Sequence, residues 1–301
     1  MIFVLKHFDE EILKFAANEN SSNPDYKILW TTENKALLPL GFDCSEQGLE
    51  SWIKRRSVPK NRAYMDNLLS KCNLSPNRPL SVVYFSKGLS LNDVYWVVPE
   101  DFGGSFSDVN LYDNRFSRVL SYIAFTGYGS SLKSSLFSSP EFTTNGMLPK
   151  CWRRINGKIE LYKGSTSGFS NAGYEAYSEF YAFQIARGMG FDAIEYNLSK
   201  WKGNLCSTCR LFTSKDYSFV PVGVLVKKGG KLLKKYDRTL QPCVYDDFIG
   251  SAKKVLTAEH KEKLRKLLNF KFKKHPRYNV PESRLERINE QVRENVRELL
   301  R

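Results

Sequence analysis

Long apolar runs are missing from this chain. None of its 301 residues belongs to a stretch that approaches the ~18 uninterrupted apolar positions of a membrane-crossing helix, so no membrane contact is expected. The opening MIFVLKHFDEE meets acid at Asp9 and lacks the basic-then-apolar order of a secretory leader. Cysteine is sparse and scattered: Cys44, Cys72, Cys151, Cys206, Cys209 and Cys243. A chain of this size does not depend on disulfides, so reduced thiols and a cytoplasmic location are expected. The one CxxC, Cys206 to Cys209, has neither a second CxxC nor a nearby histidine pair. That argues against zinc and for two small residues buried on a strand. Internal repeats and long low-complexity segments are also absent.

What is present is a composition for cores and a strong charge. Hydrophobic residues make 42% of the chain and aromatic residues 14%, enough for one large domain or two modest ones. The net charge of +14 is concentrated at one end: Leu225 to Arg301 holds 21 Lys and Arg against 10 Asp and Glu. Such an excess attracts nucleic acid or acidic protein, or serves as a solvated helical surface.

The N-terminal part mixes short strands with helices. YKILW (26–30) and ALLPL (36–40) around a polar turn predict a hairpin. Ser45 is a helix cap ahead of Leu49, Trp52 and Ile53, and a second helical pattern runs from Arg62 to Leu69. SVVYFSKGLSLNDVYWVVPED predicts strand, turn and strand. A helix is expected near 114–125, inside a Gly- and Ser-rich stretch. From Ser139 the pattern becomes β, β, α, β, β. Asn156-Gly157 marks a tight hairpin between Cys151–Ile155 and Ile159–Tyr162. Ser170 or Asn171 caps a helix through AYSEFYAFQIARGMG, and 193–197 and 205–212 are strand candidates. Beyond Val224 the pattern is helical, ending in a helix with Pro281 in its first turn and an apolar stripe of Leu285, Ile288, Val292, Val296 and Leu299.

Chemistry concentrates between 139 and 214. Thr143-Thr144-Asn145-Gly146 is a polar turn whose glycine lets backbone N–H groups approach a phosphate, although a polar tip also ends any hairpin. Lys163 closes the second strand. Sixteen residues later, Glu179 shares a helical face with Ala176, Phe183 and Ala186, and a carboxylate on a packed face wants a cation. A strand lysine aimed by a helical glutamate holds nucleotide phosphates. The alternative is a solvent-facing glutamate.

SPEFTTNGMLP, ELYKGSTSG, YSEFYAFQIARGMG and LCSTCRLFTS resemble the upper lobe of HipA-like serine/threonine kinases, bacterial kinases related to a toxin of toxin–antitoxin systems. The ending LTAEHKEKLRKLLNFKFKKHPRYNVPESRLERI is similar to the last helices of small HipA-like proteins, and SWIKRRSVPKNR and SLNDVYWV to their N-terminal region. The resemblance implies an α+β, protein-kinase-like fold with an antiparallel five-stranded N-lobe and a helical C-lobe. It implies three parts: an N-terminal α+β region over 1–115, the N-lobe over 116–224, and a shortened basic C-lobe over 225–301. It implies ATP and Mg²⁺ as cofactors and a protein substrate or antitoxin-like partner. It also implies roles for residues: Thr143, Thr144, Asn145 and Gly146 as the phosphate loop, Lys163 with Glu179 on the phosphates, and Arg210 to Ser214, including Phe212, as the hinge beside the adenine.

The family's chemistry also needs an Asp-Arg-His motif followed by Asn, and a second Asp for metal. Here the only Asp-Arg is Asp237-Arg238, followed by Thr239, and Asp246-Asp247 reads as part of a helix. His260 and His275 lie far from any Asp-Arg. No catalytic or metal-binding residue is therefore assigned. Two readings stand: a HipA-like kinase homologue impaired in catalysis, and a non-enzymatic pseudokinase that binds nucleotide, protein or nucleic acid.

Overall fold

A computed structural model of the chain describes residues 1–131, 139–166, 173–222, 224 and 248–301. The alternating apolar residues of IFVLKH and EEILKFA form antiparallel strands β1 (Ile2–His7) and β2 (Glu10–Ala16). Strand β3 (Lys27–Thr31) pairs with β2, not with 36–40. The expected hairpin is absent because Asn34 accepts a hydrogen bond from the Ala36 amide and starts a 3₁₀ turn over Lys35–Leu37. Strand β4 (Tyr95–Pro99) closes the sheet on the other side of β1, giving the order β3-β2-β1-β4.

Helix α1 (Glu46–Arg55) begins as predicted, its Ser45 hydroxyl accepting from the Gly48 amide. Helix α2 (Met65–Lys71) starts later than the pattern suggested. The run from Ser81, expected as a strand, lies in helix α3 (Pro79–Ser86). Proline at the first position loses no helical hydrogen bond and presets φ. Leu80 and Val83 pack on the sheet beside Phe3, Leu5 and Ile53, while Val82 enters a second cluster with Leu68, Leu120 and Phe142. A helix buried on two sides reads in sequence as a continuous apolar run, which is why the β-branched stretch looked like a strand. Two further helices follow, α4 (Phe106–Val109) and α5 (Arg118–Thr126), the latter capped by Ser117.

Strands β5 (Lys150–Ile155) and β6 (Lys158–Gly164) form the predicted hairpin. Asn156 and Gly157 both take positive φ, 49° and 76°, as a two-residue turn of that kind requires. Helix α6 (Glu175–Gly188) comes next; its proposed caps Ser170 and Asn171 lie outside the described residues. Strands β7 (Tyr196–Trp201) and β8 (Asn204–Arg210) pair antiparallel. Cys206 and Cys209 are buried on β8, as expected for small strand residues. The second sheet has the order β5-β6-β8-β7, so the five-stranded N-lobe sheet is corrected to four strands among the described residues. Pro140 opens a 3₁₀ turn over Pro140–Phe142, and buried side chains hold it there.

The C-terminal part contains α7 (Phe248–Lys253), α8 (Ala258–Arg265) and α9 (Glu282–Leu300). Leu285 and Val296 of the predicted stripe are buried. No helix among the described residues is long and apolar enough to cross a membrane.

The chain divides into two compact units, residues 1–166 with 210–220, and residues 167–209 with 221–301. The first is built on the β1–β4 sheet, with core residues Phe3, Leu13, Phe15, Leu49 and Val97. In the second, Phe180, Tyr181, Leu198, Phe272 and Leu285 make one cluster and Leu264, Leu267 and Val296 another.

Candidate functional site

The turn Thr143–Gly146 lies in the first unit and is held from below by a buried ion pair. Glu141 is completely buried and Arg62 nearly so, with Arg62 Nη2 3.2 Å from Glu141 Oε2. The guanidinium also donates to the backbone carbonyl oxygens of Glu141, Thr144 and Lys150. Glu141 Oε1 accepts from the Trp152 amide at 2.9 Å and from the Ser121 hydroxyl at 3.4 Å. Residues 140–152 are thus fastened to α5 and to the segment before α2. Burial pushes the Glu141 carboxyl above its ordinary range, and the Arg62 charge pulls it back.

Within the turn, the Thr143 hydroxyl donates to the Leu89 carbonyl at 2.8 Å. The Thr144 hydroxyl donates to the Pro140 carbonyl and accepts from the Trp152 indole. Both threonine side chains therefore work inside the fold. Asn145 and Gly146 are exposed, and Gly146 has φ +95°.

Lys150 is a residue that sequence reasoning missed. It is 4% exposed, its Nζ donates to the Asn145 carbonyl at 2.8 Å, and that Nζ lies 2.5 Å from where a Gly146 Cβ would stand. Lys150 is also the direct cross-strand partner of Lys163, so both side chains leave the same face of the hairpin. A lysine opening the first strand, six residues after the residue-144 position and opposite Lys163, was the available signal.

The other predicted residues are placed as follows. Glu179 lies on α6 in the second unit, half-buried, and accepts a hydrogen bond from the buried Ser207 hydroxyl of β8. Lys163 belongs to the first unit. Arg210 is exposed at the end of β8, and Phe212 is 51% exposed with its ring against Phe219. Past β8 the chain is tied down by the Leu211 amide donating to the Ile159 carbonyl at 2.9 Å and by the Thr213 hydroxyl donating to the Leu91 carbonyl.

Asp237, Asp246 and Asp247 lie outside the described residues. Among the described residues no group of three or more His, Cys, Asp or Glu is disposed to hold a metal ion. The two C-terminal histidines have local roles. His260 Nδ1 accepts from the Thr257 amide in a cap of α8. His275 Nδ1 accepts from the Arg277 and Tyr278 amides while its ring stacks on Tyr278. Burial and the nearby Arg277 lower the His275 pKa.

The fold is thus mixed α and β, with two four-stranded sheets and flanking helices among the described residues. No family model matches the sequence. No curated protein matches it either. Among solved structures the chain is similar to the Shewanella oneidensis MR-1 toxin–antitoxin complex of HipA, HipB and operator DNA. The identity is 12% and the TM-score 0.44, over 88% of this chain and 67% of that one. A likeness this loose carries neither activity nor partner over to this chain.

Proposed function

We propose that this chain is a HipA-like serine/threonine kinase homologue that retains a nucleotide-phosphate site and is impaired in phosphoryl transfer. The observation that carries the reading is the pairing of Lys150 with Lys163 on one rung of the β5–β6 hairpin, beside a glycine turn. The Lys150 ammonium next to exposed backbone at Asn145 and Gly146, on the same hairpin rung as Lys163, suits a polyphosphate. In this reading Lys163 and Lys150 hold the phosphates of ATP, and Arg210 to Ser214, with Phe212, passes the adenine. ATP would supply the transferable phosphoryl group. Mg²⁺ would neutralise its charge, but the described residues offer no acid set for it. The sequence adds the second support. It contains no Asp-Arg-His, so no carboxylate is assigned to receive the hydroxyl proton, a role typically worth ~10²–10⁴ in rate.

The test is thermal shift with ATP, with and without Mg²⁺, together with incorporation of labelled γ-phosphate. ATP should stabilise the protein, Mg²⁺ should add little, and Lys163→Ala should abolish the shift. Labelling at a rate typical of kinases that disappears in Lys163→Ala would overturn the impairment, and absence of any ATP shift would overturn the site.

A second reading, a nucleic-acid- or protein-binding pseudokinase, rests on one stretch of the second unit. Between α8 and α9, Phe272 is buried while Lys271, Lys273, Lys274 and Arg277 are exposed. Binding of DNA or RNA through this ridge should be weak, sequence-indifferent and lost steeply as salt rises.

A further inference from the structure

The first unit contains a second cationic site, apart from the turn at Thr143–Gly146. The tip of the β5–β6 hairpin and the segment after β8 enclose an open cavity of about 340 Å³ lined by Arg154, Lys158, Arg210 and Lys215. Arg154 is fixed: its Nη2 donates to the carbonyl oxygens of Leu111, Tyr112 and Asn114 at 3.1, 2.8 and 3.0 Å, and its guanidinium lies over the Phe116 ring. Its Nε is buried with no hydrogen-bond partner. Lys215 pairs with Asp113 at 3.0 Å. Asp113 also acts on Arg154 and opposes the lowering of its pKa by burial, whereas among the described residues no carboxylate pairs with Lys158 or Arg210. Lys158 and Arg210 are exposed at the rim, and beside them Gly157 leaves open space where a side chain would stand.

Arg154, Lys158 and Arg210, three cations offset only in part by Asp113, surround one concavity, and its wall concentrates their field on whatever enters. Two of the three are guanidinium groups, whose planar forks match a phosphate with paired hydrogen bonds. The cavity is of a size for a small molecule, not a helix or a duplex. Arg154 and Lys158 stand four and five positions along their strands from Lys150 and Lys163, about 15 Å at the usual strand rise.

We propose that this cavity, which borders the candidate hinge at Arg210 to Ser214, binds the phosphate group of a small molecule independently of the turn at Thr143–Gly146. The test is calorimetric titration with glycerol 3-phosphate and with inorganic phosphate, each against chloride at matched ionic strength. Three proteins are compared: the unaltered chain, Lys163→Ala, and the doubly charge-reversed Lys158→Glu/Arg210→Glu. Both reversed residues are exposed, and circular dichroism verifies that the double variant folds. The proposal expects phosphate binding by the first two proteins and binding at least ~10-fold weaker by the double variant, the loss of about one charge-assisted contact. Tighter binding of the ester supports the site with an ester as occupant; equal binding supports it with the free ion. Undiminished binding by the double variant, loss in Lys163→Ala alone, or no binding beyond chloride would each overturn it.

Discussion

Replacing Arg62 by methionine tests whether the buried pair holds the 140–152 segment in place. The guanidinium is removed from a site where Glu141 is completely buried, and the carboxylate keeps only the Trp152 amide and the Ser121 hydroxyl. Removing one partner of a buried pair typically costs about 3–5 kcal/mol, because the remaining charge cannot reach water. The carbonyl oxygens of Glu141 and Lys150 lose a donor as well, at roughly 1–3 kcal/mol for each left unsatisfied. Against a net stability of about 5–15 kcal/mol for a domain, such a loss is large.

The pH dependence has a definite sign. Burial already raises the Glu141 pKa above 4.5, and Arg62 opposes that shift. Without Arg62 the folded-state value rises further. A group with a raised folded-state pKa adds stability below its unfolded value, and that contribution is lost as pH climbs through the window up to the folded value. The variant should therefore lose stability more steeply than the unaltered protein as pH rises above about 4.5. Urea denaturation at several pH values measures both effects. A loss of under ~1 kcal/mol near neutral pH, or one that shrinks as pH rises, would refute the reasoning.

The two turns of the 139–166 region give a comparison, since both glycines have positive φ, +76° at Gly157 and +95° at Gly146. Gly157→Ala meets open space and should cost only backbone strain, about 1 kcal/mol, whereas Gly146→Ala meets the Lys150 ammonium at 2.5 Å and should cost more. Thermal melts of the two variants check the order. In the second unit, Phe272→Ala empties a space beside Tyr181 and Phe270, with ring centroids 4.8 and 5.0 Å away, and should destabilise by about 3–5 kcal/mol in urea titration.

Local chemistry made much of this protein legible from its residues alone. Ser45 starts α1 because a hydroxyl at that position satisfies an otherwise unpaired amide. Asn156-Gly157 closes the β5–β6 hairpin because both residues tolerate positive φ. The stripe from Leu285 to Leu299 makes α9 because its 3.6-residue period puts one apolar face inward. Features that depend on distant partners were decided only by the tertiary structure. Val82 and Val83 are helical because two different cores claim opposite sides of α3. The 3₁₀ turn over residues 140–142 is held by Arg62, 79 positions away, which pairs with the buried Glu141. Lys150 joins Lys163 because antiparallel register sets their rung, and Arg154 joins Arg210 and Lys215 around one cavity because the chain returns past the hairpin tip. Charge and turn preferences act over a few residues and are written in the order of the chain, whereas burial and pairing act across it and exist only once it has folded.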